Sequence, residues 1–64
     1  MTLKAFIRDN PNRELILLWF KNDDLQTKYV YQDQISSIPR PMLNMEVMET
    51  DTHDEEDWIE VWLR

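Results

Sequence analysis

Apolar and polar residues alternate at the start of the chain. Leu3, Ala5 and Ile7 are interleaved with Lys4, Phe6 and Arg8, a period of two that predicts a β-strand. Residues 14–20 (Glu-Leu-Ile-Leu-Leu-Trp-Phe) are apolar on both sides of the pleat, the pattern of a central strand covered on two faces. Pairing Ile7 with Leu15, Ala5 with Leu17 and Leu3 with Trp19 leaves a short loop centred on Pro11. Residues 27–32, which include Tyr29, Val30 and Tyr31, predict a third strand. Ile35 and Ile38 are spaced for one helical or 3₁₀ turn, which Pro39 then stops.

The carboxyl-terminal third fits two patterns. As strands, Leu43, Met45 and Val47 face one way, and so do Ile59, Val61 and Leu63. An antiparallel register pairing Leu43 with Leu63, Met45 with Val61 and Val47 with Ile59 puts all six on one face, with His53 at the loop midpoint. As a helix, Thr52-His53-Asp54-Glu55 matches a capping box, acids fill the first turn, and Trp58, Ile59 and Trp62 form an apolar stripe. Trp, Ile and Val favour strands, so the hairpin is adopted. The expected fold is therefore all-β, a small five-stranded antiparallel meander or barrel in a single domain over residues 1–64. The alternative is an α+β unit with a carboxyl-terminal helix on three or four strands.

Glycine is absent, so the turns must be built by other residues. Asp9-Asn10-Pro11-Asn12-Arg13, Lys21-Asn22-Asp23-Asp24 and Ser36-Ser37-Ile38-Pro39-Arg40-Pro41 are the turn signals, with the acidic stretch 50–57 a fourth candidate, because Asn and Asp tolerate left-handed backbone and bond to their own main chain. At 64 residues the chain buries only about 60% of its unfolded surface, so modest stability is expected.

Charge sharpens the picture. The formal net charge is −6, and residues 33–64 hold nine acids against Arg40 and Arg64. Residues 46–60 carry eight carboxylates (Glu46, Glu49, Asp51, Asp54, Glu55, Glu56, Asp57, Glu60) and no Lys or Arg. Such a surface repels nucleic acid and anionic membranes and favours a basic partner. A nucleic-acid platform built from Lys4, Arg8 and Lys28 with Phe6, Tyr29 or Tyr31 is disfavoured by that charge.

The chemistry of sites narrows the function further. With no Cys and one His, neither a disulfide scaffold nor a thiolate metal site is available. Read as an EF-hand loop from Asp51, the chain places Glu56 where Gly is required and Trp62 where Glu is required, so that motif fails. No Gly-rich element exists to cradle phosphate, and Ser36 and Ser37 have no neighbouring base in sequence. No enzyme activity, cofactor or metal is expected. Neither a signal peptide nor a long apolar segment is apparent, and a cytoplasmic protein is the expectation.

In the hairpin register Asn44 faces Trp62, Glu46 faces Glu60 and Met48 faces Trp58. Aromatics and Met are enriched in interface cores. The expected partner-binding residues are thus Glu46, Met48, Asp54, Glu55, Glu56, Asp57, Trp58, Glu60 and Trp62. The function expected is a non-enzymatic acidic binding module, an inhibitor or nucleic-acid mimic of the kind carried by phages and other mobile elements, docking on a basic protein surface. The alternative is a self-associating structural module or small subunit of a larger assembly.

Overall fold

The computed structural model describes residues 1–53, 55 and 57–64. Its elements are α1 (Leu3–Asp9), β1 (Glu14–Lys21), β2 (Asp24–Val30), the 3₁₀ helix η1 (Gln32–Ser37), α2 (Arg40–Leu43), β3 (Val47–His53) and β4 (Trp58–Leu63). The strands form one four-stranded sheet in the order β2-β1-β4-β3. β1 pairs antiparallel with β2 and parallel with β4, while β3 and β4 form an antiparallel hairpin. This is a mixed sheet with short helices and overturns the five-stranded antiparallel meander. The α+β alternative fails too, because the carboxyl-terminal segment is a strand.

The largest departure lies at the amino terminus, where a helix replaces the first expected strand. Leu3, Phe6 and Ile7 are spaced i, i+3, i+4, so the segment that alternates with period two also carries one helical stripe. Thr2 decides between them: its hydroxyl accepts a hydrogen bond from the Ala5 N–H at 3.2 Å and caps the helix. Leu3 and Phe6 are thereby buried. The sheet neighbours of Leu15 and Leu17 are Val30 and Lys28 on β2 and Ile59 and Val61 on β4, rather than Ile7 and Ala5.

The core lies on one side of the sheet. Leu15, Leu17, Val30, Ile59, Val61 and Leu63 meet Leu3, Phe6 and Ile38 from the helical layer, with Ile35, Met42 and Leu43 packed around them. Burying each such aliphatic side chain contributes about 1.5–3 kcal/mol before entropy is counted. The opposite face of β1 carries Ile16, Leu18 and Phe20, none of which belongs to the cluster that packs with the helical layer. Residues 14–20 are a central strand, then, but one covered on a single face.

Asn and Asp do supply the turns. Asn22 and Asp23, both at positive φ (52° and 66°), form the two-residue connection between β1 and β2, as a type I′ hairpin requires. Asn12 and Asp57 also adopt positive φ. Among the described residues no helix is long and apolar enough to cross a membrane.

Candidate functional site

Strand register defines what the uncovered face displays. Across the sheet, one row runs Tyr29–Ile16–Glu60–Asp51 and the next Thr27–Leu18–Trp62–Glu49. Glu14 pairs with Trp58, which pairs in turn with His53, and Phe20 pairs with Leu25 at the far end. Among these strand positions are four carboxylates (Glu14, Glu49, Asp51, Glu60) and no Lys or Arg. Lys21 and Lys28 fall on the alternate positions of their strands.

The aromatics on this face touch one another. Tyr29 lies 5.2 Å from Tyr31 and 6.5 Å from Trp58, measured between ring centroids. The His53 ring stacks on Trp58 at 4.0 Å and 20°. Trp58 and Trp62 are both half-buried, whereas Phe20 is 63% exposed and Leu25 49%. Leu18 is buried even though it lies on this face, since Thr27 and Trp62 flank it. A band of aromatic and aliphatic surface is thus bordered by carboxylates on β3 and β4.

The expected site residues divide. Trp58, Glu60 and Trp62 lie on the uncovered face, because successive β4 residues alternate and Ile59, Val61 and Leu63 take the core side. Glu46 is drawn elsewhere: its carboxylate meets the Met1 ammonium at 3.1 Å, and its backbone exchanges two hydrogen bonds with Arg64. Met48 is 59% exposed at a β-bulge between Val47 and Glu49, so it does not oppose Trp58. Glu55 and Asp57 are exposed in the β3–β4 turn, and Asp54 and Glu56 lie outside the described residues.

The hairpin register also differs from the expected one. Val47 pairs with Leu63, and after the bulge Asp51 pairs with Glu60 and His53 with Trp58. The opposed carboxylates are therefore Asp51 and Glu60, not Glu46 and Glu60. His53 closes β3 instead of sitting at a loop midpoint. Leu43 belongs to α2, and Met45 lies in the turn before β3.

Sequence reasoning missed Glu49, Asp51 and His53 as residues of this face. The bulge at Met48 carries them there by changing which side alternate residues of β3 occupy. The expected partner-binding residues also left out those of β1 and β2 on this face, Ile16, Leu18, Phe20, Leu25 and Tyr29. For β1 the signal was the second apolar side of residues 14–20, which was read as a second buried face.

A groove of about 500 Å³ on the helical layer, floored by Ile7, Pro11 and Ile35 and edged by Arg8 and Asp33, contains none of these residues. The chain matches no protein-family model, no curated protein and no solved structure.

Proposed function

We propose that the protein is a non-enzymatic binding module that docks on a cationic surface of another protein through the uncovered face of its sheet. The observation that carries this reading is the composition of that face. Trp58, Trp62 and Tyr29 supply apolar area of the type that anchors interfaces, and Glu14, Glu49, Asp51 and Glu60 surround it, with no Lys or Arg among the strand positions of this face. A partner rich in Arg meets both needs, since guanidinium groups pair with carboxylates and stack on indole rings.

Self-association across this face is the weaker reading. A two-fold contact sets each patch against its own copy, bringing carboxylates against carboxylates. A nucleic acid meets the same repulsion. A partner surface that otherwise holds phosphates fits instead, with carboxylates standing in for phosphates, so inhibition of a nucleic-acid-binding protein follows naturally from this chemistry.

An Arg-rich peptide without Trp serves as the probe, titrated against the full chain while indole fluorescence is followed. Binding should weaken steeply from low to high salt and fall when Glu49, Asp51 and Glu60 are changed together to Gln, Asn and Gln. Trp62→Ala should also weaken it, whereas Glu55→Gln in the turn should matter less. Binding indifferent to salt and to the triple variant would overturn the reading.

A further inference from the structure

We propose that Asp51, His53 and Glu60 form a three-ligand site for a divalent transition-metal ion, with Zn²⁺ the best match. The inference goes beyond the docking reading and does not need it; the two share Asp51 and Glu60, and a bound ion leaves Glu14 and Glu49 as the free carboxylates of the face. Asp51 and His53 are two apart on β3, and Glu60 is the direct cross-strand partner of Asp51. All three therefore project from the same face of a hydrogen-bonded hairpin, and their potential ligand atoms lie within 4.8 Å of one another. Ordered strands, not a loop, hold them.

Two further observations point to a cation among them. First, although the side chain as a whole is one-third exposed, the His53 Nε2 atom is shielded from solvent and makes no hydrogen bond. It faces Asp51 Oδ2 at 3.7 Å and Glu60 Oε1 at 3.8 Å. Both separations exceed the roughly 2.7–3.2 Å of a hydrogen bond. They are close to the spacing of donors around one ion: metal–ligand bonds of about 2.0–2.2 Å in tetrahedral geometry separate the donors by about 3.4 Å. Second, Asp51 and Glu60 are like charges placed directly opposite each other, an arrangement that disfavours the hairpin unless a positive charge intervenes, and the group between them, His53, supplies one only when protonated. A dication between the two carboxylates and a neutral imidazole removes that repulsion and satisfies the buried nitrogen.

The donor set selects the ion. One imidazole nitrogen with two carboxylate oxygens suits Zn²⁺ and its neighbours better than Ca²⁺ or Mg²⁺, which take oxygen ligands. The stack of His53 on Trp58 fixes the ring plane that a ligand nitrogen needs. Three protein ligands leave a further coordination position for water or for a group from another molecule.

The test uses the full chain and Zn²⁺ alone, titrated by calorimetry, with Co²⁺ as a spectroscopic substitute. One ion per chain is expected, with the strong visible absorption of Co²⁺ in a low-coordinate N/O site. His53→Ala and Glu60→Gln should each weaken binding more than about tenfold. Asp24→Asn, at the opposite edge of the sheet, should leave it unchanged, and far-UV circular dichroism should show all three variants folded. Absence of saturable binding would overturn the proposal, and so would binding that survives His53→Ala. Equal binding of Ca²⁺ and Zn²⁺, lost on changing Glu55 and Asp57 instead, would assign any affinity to the turn and also overturn it.

Discussion

Replacing Leu17 and Phe20 separately by Ala tests the one-sided core. The two residues are three apart on the same strand, but Leu17 is 0% exposed against Val61 and Phe20 is 63% exposed beside Leu25. A fully buried Leu→Ala change costs about 2–5 kcal/mol through lost transfer energy and the cavity it leaves. At roughly 0.05–0.15 kcal/mol per residue, a chain of this length has only about 3–10 kcal/mol in total. Leu17→Ala should therefore remove a large part of the stability. At about 4–8 °C per kcal/mol for small domains, a 3 kcal/mol loss lowers Tm by roughly 12–24 °C. Phe20→Ala loses only strand preference and one cross-strand contact, which together come to less than about 1 kcal/mol. Urea unfolding followed by circular dichroism gives both values, and running it at two well-separated protein concentrations tests for self-association. The reasoning is refuted if Phe20→Ala costs as much as Leu17→Ala. If that cost also disappears on dilution, a second copy covers the face in the resting protein.

Other predictions are local. Thr2→Ala removes the cap of α1 and should cost about 1 kcal/mol in the same urea experiment, with a loss of helical signal; no change would argue against the helix. Asn22→Gly or Asp23→Gly relieves a non-Gly residue of positive φ and should stabilise the β1–β2 hairpin by up to about 1 kcal/mol, seen as a higher urea midpoint. Gly should be tolerated at Asp57 for the same reason.

Individual strands were legible in the chain, but the sheet they build was not, and the misses have identifiable physical causes. The apolar run at residues 14–20 announced β1, Asn22-Asp23 announced its hairpin, and the spacing of Ile35 and Ile38 announced η1. The faces of β4 were also legible, because strict alternation from Trp58 to Leu63 leaves one choice. Residues 3–9 were misread because one short stretch satisfies both the strand and helix periods, and only the Thr2 cap separates them. The parallel pairing of β1 with β4 joins segments far apart in sequence, and no local pattern encodes it. The bulge at Met48 was equally silent. A period-two argument assumes unbroken pleating, so it gave Asn44, Glu46 and Met48 the places that Glu49, Asp51 and His53 occupy.

Edge protection accounts for some of the remaining charge. β2 and β3 are the outer strands, and the start of β3 is joined by the chain terminus through Leu3 N–H to Met45 C=O and Val47 N–H to Met1 C=O. Beyond it Glu49 and Asp51 charge the exposed edge, and the bulge at Met48 twists it, both of which discourage further strand addition. The carboxylates of β3 thus have a solubility role as well as the binding role proposed for them.

The central claim is that the uncovered sheet face is where a cationic protein docks. Its most direct test is a map of amide and indole NMR shifts while an Arg-rich peptide is added to the labelled chain at low salt. The account predicts that the Trp58 and Trp62 indoles move together with the amides of β1, β3 and β4, and that the changes shrink as salt is raised. Shifts confined to α1, η1 and α2, or none on the sheet, would contradict it.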